Sequence, residues 1–270
     1  MPRLRQEEKG SLSEMLELNK IYNMDCLEGM KRIPDKSIDM ILCDLPYGTT
    51  ACKWDTIIPF EPLWEQYHRV IKDNGAIVLF GSEPFSTMLR YSNLKNYKYD
   101  LIWVKNNASN FQLCKKQFLK VHENISIFYK KQPTYNPQGL KKLETPIVQS
   151  NKGKAGKLGH LGSEKKRSHY KQEFTGYPRS ILYFDRPSKP LHPTQKPVEL
   201  CEYLIRTFTN EGETVLDNCI GSGTTAIACI NTERNFVGFE WNPTKPHDKY
   251  YKIAIERIKK RFERLIRNDQ

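Results

Sequence analysis

No Cys-x-x-Cys pair occurs among the seven cysteines, at positions 26, 43, 52, 114, 201, 219 and 229. Neither a zinc cluster nor a disulfide framework is therefore indicated, and no metal is expected. Scattered thiols in odd number suit a reducing cytoplasm. No apolar run approaches the ~20 residues of a membrane span, so no membrane partner is expected. The first twenty residues, MPRLRQEEKGSLSEMLELNK, lack the apolar stretch of a secretory signal. Internal repeats are absent too.

Charge of one sign is in short supply. Lys and Arg total 43 against 31 Asp and Glu, a formal charge of +12. Such an excess favours a polyanionic partner, although a merely basic protein would show the same balance. With 270 residues, 38% of them hydrophobic, the chain can bury a full core as one large domain or one domain with insertions.

Short apolar runs alternate with segments of helical period. The runs expected as strands are 20–25, 38–44, 75–81, 99–105, 125–130, 181–185, 214–219 and 235–241. Several are apolar on both faces, as in strands covered by helices on each side. Between them, residues 60–75 place Leu63, Trp64, Tyr67, Val70 and Ile71 at helical spacing, with Asn74-Gly75 as the expected stop. Residues 197–212 begin at Pro197 and end at Gly212, the usual asymmetry of a helix. The alternation predicts an α/β fold with a largely parallel sheet. Residues 132–178 break it. Within 141–171, nine Lys or Arg face two Glu, and too few large apolar side chains are present to form a core. A segment this long inside a compact domain is functional or disordered.

Two motifs carry chemistry. In TVLDNCIGSGTTAIAC (214–229), a strand ends in Asp217, a turn holds Gly221 and Gly223, and Thr224 opens a helix. Glycines admit a ligand close to the backbone, and a helix N-terminus offers free N–H donors. Glu240 ends the next strand, 23 residues after Asp217, where an acid can grip ribose hydroxyls. No Lys follows the second glycine, so this is no P-loop. A turn that merely punctuates the structure has the same composition. In MILCDLPYGTT (40–50), a strand ends in Asp44 before Leu45, Pro46 and Tyr47. Proline removes a backbone donor and fixes its φ. The Asp44 carboxylate and the Leu45 carbonyl are then two acceptors side by side, suited to an –NH₂ group, with Tyr47 as a flat face for its ring. An Asp capping a turn above a packed Tyr is the other reading.

The pairing of these motifs resembles the amino-methylating DNA methyltransferases of the permuted β class. Asp-Leu-Pro-Tyr is similar to their Asp-Pro-Pro-Tyr motif, residues 217–223 to their S-adenosylmethionine loop, and HPTQKP (192–197) to the segment closing over the cofactor. The resemblance implies a Rossmann-like methyltransferase sheet with circularly permuted motif order. Residues 1–131 would form its catalytic half and 179–270 its cofactor half. The basic insertion 132–178 would be a flexible target-recognition region. The resemblance assigns Asp44, Leu45, Pro46 and Tyr47 to the target base. It assigns Asp25, His192, Thr194, Lys196, Pro197, Asp217, Gly221, Gly223, Thr224 and Glu240 to the cofactor, S-adenosyl-L-methionine. Leu45 departs from the family's usual Pro, but its role there belongs to a backbone carbonyl.

The implied reaction is methylation of adenine N6 in double-stranded DNA, with the base flipped out of the duplex. Lys105, Asn106, Asn107, Lys165, Lys166 and Arg167 are the residues expected to grip DNA. Cytosine N4 is the near alternative, since the geometry serves either amine. Methylation at cytosine carbon-5 would need a Cys nucleophile, usually in a Pro-Cys dipeptide, and none is present. RNA or protein-glutamine methylation would usually begin the motif with Asn. A non-catalytic DNA-binding relic is the alternative from another class. The resemblance leaves oligomeric state open; a homodimer and a companion restriction endonuclease are the further partners it allows. The compartment it implies is the cytoplasm of a bacterial or phage-infected cell.

Overall fold

The structure, a computed structural model, describes residues 15–49, 55–150, 169–192, 194–241 and 249–268. In chain order the elements are β1 (Lys20–Tyr22), α1 (Cys26–Met30), β2 (Ile38–Cys43), α2 (Phe60–Val70), β3 (Ile71–Gly81), α3 (Phe85–Ser92), β4 (Tyr97–Val104), a 3₁₀ turn (Phe111–Leu113) and β5 (His122–Phe128). There follow β6 (Lys141–Ser150), β7 (His169–Thr175), β8 (Ile181–Tyr183), α4 (Val198–Phe208), β9 (Thr214–Asp217), α5 (Thr224–Asn231), β10 (Asn235–Phe239) and α6 (Lys249–Asn268). Each of the eight expected runs contributes a strand to one sheet, in the order β1-β10-β9-β2-β3-β5-β4-β8. Neighbours are parallel throughout, except that β5 runs antiparallel to both β3 and β4. This is the expected Rossmann-like α/β architecture.

Strand periodicity divides the core in two. Met40, Leu42, Ala76, Val78 and Val215 belong with residues of α4, α5 and α6. Their neighbours Ile41, Cys43, Ile77, Leu79 and Leu216 belong with residues of α1, α2 and α3. Ile41 and Leu42 are both fully buried, so cutting either to Ala costs ~2–5 kcal/mol. A central strand covered on both faces explains why residues 40–43 read as a continuous apolar run.

The helix expected to stop at Asn74-Gly75 ends earlier, at Val70, and leads straight into β3. Asn74 and Gly75 lie instead at a break in register, where Ile38 faces Ile71 but Met40 faces Ala76. A Cβ on Gly75 would sit 2.8 Å from the Asp39 carbonyl, so glycine serves a close approach of two strands here. The sequence reading gives no strand to 132–178. Residues Pro137–Arg179 form a separate compact unit built on the antiparallel pair β6–β7. No described side chain of its strands is buried, and Ile147 and Val148 are exposed, which is why apolar periodicity does not reveal them.

Between β9 and β2 the connections part. The chain leaves β9 through α5 toward β10, and leaves β2 through α2 toward β3. Such a switch point opens a crevice beyond the carboxyl ends of the strands, where ligands bind in open α/β sheets. Asp44, Asp217 and Glu240 all stand at those ends.

Candidate active site

Asp44 follows β2 directly, so its side chain emerges where the strand leaves the core. Its Oδ1 accepts from the Tyr47 hydroxyl at 2.6 Å, and its Oδ2 from the Lys196 ammonium. Lys196 also lies 3.3 Å from Glu123 Oε2, while Glu123 Oε1 is 3.1 Å from the Lys105 ammonium. Two carboxylates and two ammonium groups thus alternate in one buried chain. The side chains of Lys105 and Lys196 are only 3% and 8% exposed.

Burial lifts the Asp44 carboxyl above the usual carboxylate range, against the pull of Lys196. Burial opposes the charge of Lys196, but Asp44 and Glu123 outweigh it and raise its pKa. Burial likewise acts on Glu123, yet the two lysines hold it below its ordinary value. Tyr47 stays protonated, because burial and the Asp44 charge push its phenol well up. Its ring stacks on Phe85 with centroids 5.0 Å apart. One face of Tyr47 is therefore packed, and its hydroxyl steadies Asp44. The Leu45 side chain is buried, and Pro46 lines the cavity described next.

A cavity of about 340 Å³ runs from Asp44 to Glu240, within the ~300–1,000 Å³ of small-molecule sites. Asp25, His192, Thr194, Lys196, Gly221 and Thr224 lie along it. Asp25 caps α1, its Oδ1 accepting from the amides of Leu27 and Glu28 at 2.9 and 3.1 Å. Glu240 accepts from the Gly221 amide at 2.8 Å, tying the glycine turn to β10. Gly221 has φ +55°, and a Cβ there would meet nothing within 4 Å, so the turn presents bare backbone to the cavity. Gly223 caps α5 at φ +82°. His192 Nδ1 accepts from the Thr194 amide at 3.2 Å, and its ring meets Tyr250 edge-on at 4.1 Å. Pro197 precedes α4 as its N-cap. Asp217 is turned inward: it accepts from the Thr225 hydroxyl at 2.6 Å and the Cys219 amide at 3.1 Å. Burial pushes its pKa up to about 6. A cavity of this size with an acid at the end of β10, a bare glycine turn and the start of a helix fits the ribose and amino-acid ends of S-adenosylmethionine.

The residues expected to grip DNA part company here. Lys105 is buried and bound to Glu123, so it belongs to the Asp44 network and is no surface contact. Asn106 accepts from the Arg186 amide at 3.2 Å, while Asn107 is exposed. Lys165, Lys166 and Arg167 lie outside the described residues. Lys196 touches Asp44 and not only the cofactor side.

Three contributors escaped the sequence reading. Glu123, inside an ordinary strand, carries no motif. Arg257 of α6 reaches the Ser222 carbonyl at 2.6 Å and braces the glycine turn; helical spacing gives no hint of that reach. Asn218 accepts from the Tyr67 hydroxyl at 2.5 Å and contacts the Cys26 and Cys219 sulfurs at 3.6 Å. A polar residue straight after Asp217 was the one available signal.

A family model described as DNA methylase, for the N6/N4 class, matches residues 38–255. DNA adenine methyltransferase YhdJ of Escherichia coli (strain K12) is 29% identical over 259 residues, covering 90% of this chain and 83% of that protein. Type II methyltransferase M1.MboII of Moraxella bovis is 27% identical, covering 84% and 94%. The crystal structure of the M1.HpyAVI–SAM complex aligns with TM-score 0.57 at 25% identity, over 88% of this chain and 98% of that one. The PvuII cytosine-N4-specific DNA methyltransferase aligns with TM-score 0.63 over 94% of each chain, at 15% identity, a likeness of fold. With the family match spanning most of the sheet and both motifs, the chain belongs to the N6/N4 DNA methylases, enzymes that methylate the amino groups of DNA bases from S-adenosylmethionine.

Proposed function

We propose that this enzyme methylates adenine N6 in double-stranded DNA at a specific sequence, on a base flipped from the duplex. The observation that carries the reading is the position of Asp44, at a strand end on the wall of the cavity that fits the cofactor, with both oxygens held by Tyr47 and Lys196. Asp in the first motif position, and a relative named as an adenine methyltransferase, favour adenine over cytosine.

An exocyclic amine is a poor nucleophile because its lone pair is delocalised into the ring. Asp44 and the Leu45 carbonyl, each accepting one N–H, favour a pyramidal nitrogen with that pair free. Fixing the nitrogen in place can lower the barrier by roughly 7–11 kcal/mol. When bound, S-adenosylmethionine supplies a methyl group activated by a sulfonium. Glu240 would hold its ribose and Asp25 its adenine amino group, with the turn at Gly221 and Gly223, His192 and Thr194 toward its amino-acid end. The Asp44 carboxylate, its pKa raised by burial, takes the proton that the amine sheds. Lys196 and Tyr47 keep that carboxylate aimed throughout.

The basic segment 132–178 would supply target recognition, with Lys165, Lys166 and Arg167 on phosphates. A homodimer and a companion restriction endonuclease belong to the same reading; relatives named type II methyltransferases support the second. The test is incubation of unmethylated plasmid with enzyme and cofactor, followed by sequencing that reports modified bases. N6-methyladenine in one sequence context is expected, and Asp44→Ala should lower the yield at least tenfold. N4-methylcytosine would transfer the reading to the other amine.

A further inference from the structure

Among the described residues, the most exposed large apolar side chain lies between β4 and β5. Phe118 is 99% exposed and Phe111 70%. The same excursion, residues 105–121, carries Lys115, Lys116 and Lys120 and no acidic residue. It is not a loose strap. At its stem, the Lys105 amide donates to the Val121 carbonyl at 2.7 Å and the Ser109 amide to the Lys120 carbonyl at 3.1 Å. Asn110 ties the two sides together, accepting from the Lys120 amide at 2.6 Å and donating to the Phe118 carbonyl at 3.2 Å. The tip closes on its own backbone, with the Lys116 and Gln117 amides donating to the Leu113 carbonyl at 2.8 and 3.0 Å. Backbone groups are thus used internally, and the side chains face outward.

The stem is rooted at the active end of the sheet. Lys120 donates to the Ser82 hydroxyl, just past the end of β3. Lys105 joins Glu123, Glu123 joins Lys196, and Lys196 joins Asp44. A turn bearing an exposed aromatic ring and exposed lysines is therefore joined at its stem to the ion chain that ends on the Asp44 carboxylate.

We propose that residues 105–121 form a DNA wedge: Phe118 enters the base stack next to the displaced base, while Lys115 and Lys116 hold the flanking phosphates. The inference rests on the reading of the enzyme as one that flips its target. A flipped base leaves a hole in the stack, and apolar side chains inserted between base steps compensate for lost stacking. Lysines beside the ring match a polyanion. They argue against self-association through this face, where a two-fold contact would set like charges against each other.

The experiment uses the full-length enzyme with S-adenosylhomocysteine or S-adenosylmethionine. Sequencing of modified plasmid first defines the target, and a duplex is then made with 2-aminopurine beside the target base. Phe118→Ala should leave the melting temperature unchanged, because a fully exposed ring leaves no cavity. It should lower kcat/KM for the duplex by about 5- to 150-fold, the range for loss of one aromatic stack. The fluorescence rise on binding should vanish, and Phe118→Trp should restore both. The deficit should shrink when the target base lies opposite an abasic site, where less stacking has to be broken. A variant within twofold of the parent, with the same fluorescence, would overturn the wedge. So would a deficit equal on both duplexes, or a parent dimer that becomes a monomer on Phe118→Ala. A parent that modifies no DNA would refute the assigned activity itself, and the wedge with it.

Discussion

Replacing Glu123 with Gln removes one charge from a buried, neutral chain of four. The Glu123 oxygens lie 3.1 Å from the Lys105 nitrogen and 3.3 Å from that of Lys196. At an effective dielectric of ~20, each contact is worth about 5 kcal/mol of Coulomb attraction before desolvation. Part of this is offset by the cost of taking the ions out of water. Breaking a buried pair typically costs ~3–5 kcal/mol net, because a charge is left without its partner. We expect Glu123→Gln to lose that much in urea unfolding at pH 7.5. Adding Lys105→Met, which restores neutrality, should recover part of the loss. The pH dependence follows from the sign of the shift. Glu123 has its pKa depressed in the fold, so its contribution is present above the unfolded carboxylate value and is lost as pH falls through the folded one. Stabilities of parent and Glu123→Gln should therefore converge in acid. A loss below about 1 kcal/mol at pH 7.5, or strictly additive losses for Glu123→Gln and Lys105→Met, would refute the buried chain.

Further predictions concern the two sides of the cavity. Tyr47→Phe keeps the stack on Phe85 but removes the hydroxyl from Asp44. Single-turnover methylation should slow about tenfold or more, for a lost bond to a charged group worth ~1.5–3 kcal/mol, while S-adenosylhomocysteine binds within twofold of parent by titration calorimetry. Glu240→Ala should weaken that binding by about 10- to 100-fold, because the glycine turn loses its anchor and the ribose its acceptor; an unchanged dissociation constant would place the ribose elsewhere. Asp217, its pKa pushed up by burial to about 6, well above the ordinary Asp range, binds its proton more tightly in the fold than in the unfolded chain. Its effect should be a stability loss of up to about 3 kcal/mol as pH rises from about 4 to 6, seen as the difference between parent and Asp217→Asn unfolding curves. A pH-independent difference would mean that Asp217 is not shielded from water.

Where a residue's role follows from its neighbours in the chain, the sequence by itself determined the outcome. Residues 40–43 are apolar on both faces, so they had to become a central covered strand, and Asp44 had to stand at its end. The spacing of Asp217, the two glycines and Glu240 set out a strand, turn, helix and strand, and the glycine turn has the positive φ angles that only glycine adopts without strain. Lys105 shows the limit. A lysine after a strand, followed by two asparagines, has the composition of a solvent-facing contact, and only packing turned it inward. The cause is the direction of β5. An antiparallel strand begins where its parallel neighbours end, so Glu123, second in β5, arrives beside the ends of β3 and β4. There it meets Lys105 from the preceding strand end and Lys196 from a segment 73 residues further along the chain. No local pattern encodes that meeting, because it depends on sheet order and strand direction. The tertiary structure alone joined the base motif to its supporting charges.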